Sequence, residues 1–382
     1  MASRVKPGLD VLLQGKTLLE RLSGLSIGLV VNHTSVTRSL EPSYLRLLEK
    51  GIRVKTLFTP EHGLWGAYAA GEPVESENPS LNGVMVQSLY GSQRKPSVEA
   101  LENLDLLVYD IQDVGCRTYT YISTMLNCFE EACRNSVGFM VLDRPNPLGG
   151  LTVEGPVLKK GLESFVGPHY LPLRYGMTPG ELCLLYAYDK GLKPPHMVRM
   201  AGWSRMMYYH ETGLPWVYPS PAIPTPVTAL LYSGMVLLEA TNLSEGRGTY
   251  KPFEVFGAPW LKSAELVSTL KRRLGKDCLV METRFIPSSS KHKGQVCRGA
   301  HLVVKNPKGV RPFKVVVHII QSVLETNPVE FEVDHGKMDR LLGDSATRRN
   351  ILSGMSVEEI VLKLRDEQKR FKARIRRILL YD

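Results

Sequence analysis

LDLLVYD (Leu104 to Asp110), running straight into IQDVG (Ile111 to Gly115), decides the fold class. Its length, its aliphatic content and the turn residues after it make it a buried strand. The same kind of unit recurs on both sides. Upstream, LSIGLVV (Leu25 to Val31) and IRVKTLF (Ile52 to Phe58) read as strands, with a helical stretch around Pro42 to Lys50 between them. VMVQSLY (Val84 to Tyr90) reads as a third strand and Val98 to Leu104 as a short helix. Downstream, Tyr121 to Arg134 has helical length and period, and GFMVLD (Gly138 to Asp143) is another strand. Strands alternating with helices imply an α/β fold with a doubly wound, parallel sheet.

In such sheets ligands bind outside the carboxyl ends of the strands. Here those ends carry Asn32-His33-Thr34, Thr59-Pro60-Glu61-His62-Gly63, Asp110-Ile111-Gln112-Asp113 and Asp143-Arg144-Pro145-Asn146. Any one of these segments alone also reads as a turn or a helix cap. Together they deliver acids, amides, histidines and an arginine to one edge, and that edge is the expected site. No GxGxxG follows the first strand, and Gly246-Arg247-Gly248-Thr249 lacks the spacing and lysine of a P-loop, so no nucleotide and no cofactor is expected.

The second half is less regular. Thr178, Pro179 and Glu181 make a capping box, which assigns Glu181 to a helix start rather than to chemistry. The prolines between Pro215 and Pro226 exclude a regular helix or central strand there, leaving either a connector or a rigid wall. LLEATNLSEGR (Leu237 to Arg247) gathers Glu239, Glu245 and Arg247, so Arg247 either meets an anionic ligand or pairs with a neighbouring glutamate. Beyond residue 260, helices at about Lys262 to Leu274, Pro312 to Leu324 and Val357 to Leu380 alternate with strands near Val280 to Phe285 and Gln295 to Val304. This reads as a smaller α+β domain, giving domains at 1–150 and 151–382, as the length of 382 residues suggests.

Composition narrows the partners. The net charge of +10 raises the question of nucleic acid, but the basic charge is not clustered over most of the chain, and its densest stretch, Lys363 to Arg377, is mixed with acids. That is the wet face of a helix, so no nucleic-acid partner is expected. The six cysteines form no CxxC pair and no disulfide framework. MASRVKPGLD lacks the apolar core of a signal peptide, and no stretch approaches a membrane span. A cytoplasmic protein with no membrane partner is the expectation; the oligomeric state is left open.

Several long motifs then point to a family. They are NHTS (Asn32 to Ser35), FTPEHGLWG (Phe58 to Gly66), SLYG (Ser88 to Gly91), YDIQDVGCRTYTYI (Tyr109 to Ile122), VLDRPNPLGG (Val141 to Gly150), VEGP (Val153 to Pro156), FVG (Phe165 to Gly167), RYGMTPGEL (Arg174 to Leu182), PSPAIPT (Pro219 to Thr225), EATNLSEGRGT (Glu239 to Thr249) and PFEVFGAPW (Pro252 to Trp260). In this order they resemble the exo-β-N-acetylmuramidases of the NamZ type, over nearly the whole chain. The resemblance implies a Rossmann-like amino-terminal domain, a smaller carboxyl-terminal domain and a cleft between them. It implies release of N-acetylmuramic acid from the non-reducing end of peptidoglycan fragments, and it makes Glu61 the candidate catalytic acid. One departure is Ala222, where the family usually reads PSPN.

Glycoside cleavage usually needs two carboxyl groups. Glu61, in a constrained loop between Pro60 and His62, is assigned the general acid, with burial expected to favour its protonated form. Asp113 and Glu154 are the candidates for the second role; substrate assistance by the acetamido group is the alternative. Asn32, His62 and Asn146 are assigned to sugar hydroxyls or the acetamide, with Asp110, Tyr119 and Asp143 beside them. Arg117, Arg144, Arg174 and Arg247 are candidates for the lactyl carboxylate of the muramic sugar, each with a structural ion pair as its other reading. Two rival functions are a sugar-binding protein without chemistry and a metal-dependent hydrolase or amidase built on His62, Asp110 and Asp113. The latter lacks HExxH and ligand spacing.

Overall fold

The computed structural model describes residues 5–69, 71–72 and 80–382. Strands β1 (Ser26–Val31), β2 (Arg53–Thr59), β3 (Ser80–Leu81), β4 (Val84–Ser88), β5 (Leu106–Asp110) and β6 (Gly138–Leu142) follow one another in the first part of the chain. A two-stranded antiparallel ribbon, β7 (Glu154–Val157) with β8 (Pro172–Arg174), comes next. The short strand β9 (His196–Val198) then returns to the main sheet. That sheet has seven strands in the order β3-β4-β2-β1-β5-β6-β9, and every pair except β3 with β4 is parallel. The α/β reading holds, and the sheet draws its last strand from beyond residue 150.

The chain winds outward from β1 in one direction and then from β5 in the other. The crevice at such a reversal is where open α/β sheets bind ligands. Register makes the consequence concrete: Val30 of β1 sits between Phe58 of β2 and Tyr109 of β5. The segments starting at Asn32, Pro60 and Ile111 therefore leave the sheet side by side. All five residues of β5 are buried, as expected of a central parallel strand covered on both faces. One cover is the helix Tyr121–Arg134, which buries Ile122, Met125, Leu126 and Phe129 at helical spacing. Phe129 meets Phe139 of β6 edge-on, with ring centroids 5.3 Å apart.

The rest of the chain forms a smaller antiparallel sheet, β10 (Val255–Ala258), β12 (Cys297–Val304) and β11 (Cys278–Phe285), in that order across the sheet. The helices Ser263–Arg273 and Pro226–Met235 both pack on the apolar helix Pro312–Thr326. The last approach is close: a Cβ on Gly234 would stand 2.1 Å from the Pro312 carbonyl oxygen. A single apolar cluster extends from Val30 to Ile375, so both halves share one core.

The terminal helix Val357–Ile375 buries Ile360, Leu364, Phe371 and Ile375 along one stripe and leaves its basic residues largely at the surface. It crosses back to β7, where Glu367 accepts from the Val157 N–H at 3.0 Å and Gln368 donates to Gly155 O at 2.9 Å. No helix among the described residues is long and apolar enough to cross a membrane.

Candidate active site

The loop after β2 brings the first functional group. Gly63 N–H bonds back to Pro60 O at 3.1 Å, and His62 takes a left-handed conformation with φ +74°. Such a conformation costs a non-glycine residue on the order of 1–2 kcal/mol and marks a held geometry. The His62 ring is fixed by Nδ1 against Tyr68 O at 2.7 Å, and burial lowers its pKa, so the neutral ring is favoured. Beside it Glu61 is buried. One carboxyl oxygen accepts from Gly71 N–H at 3.0 Å, the other from the Thr120 hydroxyl at 2.5 Å. Tyr90, from the loop after β4, also bonds to Glu61; burial first, then that neighbouring carboxylate, pushes the phenol up to about 12.

These groups line a cavity of about 330 Å³ at the carboxyl ends of the parallel strands. Thr118, Tyr119 and Thr120 enter from the segment after β5, with Tyr119 packed edge-on against Tyr121 and Tyr232 at 4.9 and 5.7 Å. The opposite wall comes from the second half: Ser220, Ala222, Ile223, Glu239, Arg247 and Phe253. Thus the proline-rich segment is a wall, but through Ser220 to Ile223, while Trp216 is turned onto Tyr209 at 4.7 Å. A larger cavity of about 840 Å³ adjoins the first and shares His62, Ala222, Glu239 and Arg247 with it, so these four stand at the junction.

Of the residues singled out from sequence, Glu61, His62, Tyr119 and Arg247 line this cavity. The others lie beneath it and hold the loops. Asp110 accepts two hydrogen bonds from Arg144, at 2.6 and 3.0 Å, in a buried ion pair. Glu154 pairs with Arg174 at 2.8 Å across the β7–β8 ribbon. Arg117, fully buried, donates to the carbonyls of Pro156, Leu171 and Leu341, which ties the first half to the second. Asn32 caps Thr34 N–H at 2.9 Å, and Asn146 holds Leu148 N–H and Met177 O at 2.9 and 2.8 Å. Asp143 anchors the Pro179–Lys190 helix through Thr178 and Gly180, and takes the Tyr381 hydroxyl at 2.6 Å. Glu181 completes the expected capping box and pairs with Arg205 at 2.7 Å.

Asp113 is likewise removed from the cavity. It is 2% exposed and accepts from Gly115 N–H at 2.7 Å and from the Tyr175 hydroxyl. Burial raises its pKa, and that of Asp143, from the ordinary 3.8 to about 6. A raised folded-state pKa stabilises fully below the unfolded value, and the contribution is lost as pH rises through about 6. Asp113→Asn removes one such group. Relative to the parent chain, the variant is expected to gain about 3 kcal/mol between about pH 4 and about pH 7, measurable by urea unfolding at the two pH values. Equal shifts of both proteins would refute the burial account of Asp113.

Asp110, Asp113 and His62, the residues of the metal alternative, are thus already engaged by Arg144, by Tyr175 with Gly115, and by Tyr68. Among the described residues no group of three histidine, cysteine or acidic side chains is placed to hold a metal ion. Two charged cavity residues escaped the sequence reading as site residues. Glu239 was noticed only as a neighbour of Arg247; it pairs with Arg247 at 2.8 Å and, of the carboxyls lining the two cavities, is the one common to both. Arg94 was not noticed at all. Ala222, the departure from the PSPN pattern, falls at the junction itself.

Comparison with known proteins accords with this architecture. Residues 27–227 match the family model described as exo-beta-N-acetylmuramidase NamZ, N-terminal, and residues 230–381 its C-terminal counterpart. A curated relative from Bacillus subtilis (strain 168), named peptidoglycan beta-N-acetylmuramidase NamZ, is 40% identical over 99% of this chain and 92% of its own. Two crystal structures of DUF1343 family proteins from Bacteroides fragilis NCTC 9343 share the fold. One has a TM-score of 0.90 at 33% identity, covering 99% of each chain. The other has a TM-score of 0.78 at 27% identity, covering 100% of this chain and 99% of its own.

Proposed function

This chain belongs to the exo-beta-N-acetylmuramidase NamZ family through both of its halves, and from that premise we propose that it is a glycosidase releasing N-acetylmuramic acid from the non-reducing end of peptidoglycan fragments. The observation that supports the site assignment is the cavity in which Glu61 and Glu239 are the lining carboxyls. Its volume, about 330 Å³, suits one sugar, and the adjoining space of about 840 Å³ suits the remainder of the chain. An enzyme that takes one terminal sugar at a time needs that division.

In the proposed reaction Glu61 gives its proton to the glycosidic oxygen as the bond to C1 breaks; water supplies the hydroxyl that C1 takes, and its other proton returns to the carboxyl pair. Gly71 and Thr120 hold the plane of its carboxyl. The second carboxyl role moves from Asp113 and Glu154 to Glu239, which pairs with Arg247 at the junction, where the scissile bond would lie. His62 and Tyr119 contact the sugar from the cavity wall. The expected results are release of free N-acetylmuramic acid from fragments that end in it, and a loss of about 10²–10⁴-fold in turnover for Glu239→Gln. Full turnover by that variant would remove Glu239 from the chemistry and return the second role to the acetamido group. The reading extends to a cytoplasmic role in recycling wall fragments. The six cysteines are free thiols, which suits a reducing compartment, and cell fractionation tests it.

A further inference from the structure

Muramic acid differs from glucosamine by a lactyl ether whose carboxylate carries one negative charge. The cavity that receives the sugar already holds Glu61 and Glu239. Its two strong cations are Arg94 and Arg247, and they are differently occupied. Arg247 faces Glu239 at 2.8 Å and Glu245 at 3.4 Å, and stacks over Phe253 at 5.0 Å. Its charge is therefore balanced within the protein. Arg117, Arg144 and Arg174 are buried on carbonyls and carboxylates below the cavity.

Arg94 is the exception. Its guanidinium lies 4.5 Å from the centre of the Phe165 ring, and it has no carboxylate partner among the described residues. The segment that carries it is anchored to the Tyr121–Arg134 helix. Asn127 donates to Arg94 O at 2.9 Å, and Lys95 pairs with Glu131 at 2.9 Å, both on the Tyr121–Arg134 helix. Stacking on an aromatic face orients the planar fork and leaves its N–H edge open to a ligand. Arg94, Phe165 and Val166 line the first cavity only, whereas the junction residues line both. The lactyl ether on C3 of a sugar held in the first cavity lies within the space that Arg94 and Phe165 line.

We propose that Arg94, seated on Phe165, is the specificity residue that binds the lactyl carboxylate of the non-reducing-end sugar by paired hydrogen bonds. This rests on the glycosidase reading above and assigns its substrate discrimination. Without Arg94 the cavity offers an anionic sugar two carboxyls and one arginine that is already neutralised.

The test compares wild type, Arg94→Met and Arg94→Lys on chromogenic β-glycosides of N-acetylmuramic acid and N-acetylglucosamine. Methionine keeps the apolar contact with Phe165 and removes the charge. The expected result for Arg94→Met is a rise in KM for the muramic compound of about 10- to 100-fold. Its kcat should change little, its activity on the glucosamine compound should not fall, and lysine should restore part of the loss. Equal KM values for wild type and Arg94→Met on the muramic compound would overturn the role of Arg94 and leave the glycosidase reading standing. A parallel loss on both sugars would also overturn it, as a structural effect. No cleavage of either compound by wild type would instead overturn the glycosidase reading on which it rests.

Discussion

Glu61→Gln is expected to lower turnover of an N-acetylmuramic acid β-glycoside by about 10²–10⁴-fold with little change in KM or in thermal unfolding. The amide matches the carboxyl in shape. Its oxygen can still accept from Gly71 N–H, and its NH₂ can donate to the Thr120 hydroxyl, which rotates to receive it. The anchoring of the loop is thereby retained, and what is lost is the proton that the leaving oxygen takes. A variant as active as the parent chain, with the same unfolding temperature, would remove Glu61 from the reaction.

The largest effect on stability is expected at Arg144. Arg144 and Asp110 are both buried, and their bidentate pair lies where β5 and β6 leave the sheet. Arg144→Met strands the Asp110 carboxylate and the Val36 carbonyl that Arg144 also holds at 2.9 Å. Removing one partner of a buried pair costs about 3–5 kcal/mol, a large share of the total of about 5–15 kcal/mol for a typical protein. Removing both partners leaves no uncompensated charge. Arg144→Met with Asp110→Asn should therefore unfold closer to the parent than Arg144→Met alone. A single variant within about 1 kcal/mol of the parent in urea would show that the pair is not the strut described here.

The sheet was legible because its strands are short aliphatic runs closed by turn residues, and the helix Tyr121–Arg134 has a clear apolar period. The helices Gly8–Gln14, Lys16–Leu22, Pro226–Met235, His335–Leu342 and Ser345–Leu352 were not read as elements. Pro226–Met235 is apolar around most of its surface because it is buried between the halves, so periodicity carries little signal there. β9 has only three residues and belongs to the sheet through pairing with β6, which is a tertiary fact.

The site was legible to the level of an edge but not of individual roles. Strand ends do converge, yet the first polar residue past a strand often turns under the cleft rather than into it. Asp110 and Asp113 are of this kind: one meets an arginine from the next strand end, the other a tyrosine 62 positions away. Glu154 and Arg174 find each other only through the register of an antiparallel ribbon. Glu239 sits in a short 3₁₀ segment, Val236–Ala240, whose direction no local pattern fixes. Arg94 lies in a loop with no period at all, and its value depends on Phe165, brought near by the fold. The long motifs around Glu61, His62 and Tyr119 were the most informative, because all three residues line the cavity.

The most direct test of the account is hydrolysis by wild-type protein of a chromogenic N-acetylmuramic acid β-glycoside beside its N-acetylglucosamine counterpart. The account predicts efficient cleavage of the muramic compound, with free N-acetylmuramic acid as product, and much weaker cleavage of the other. Cleavage of neither, by protein that is folded by its unfolding transition, would contradict it.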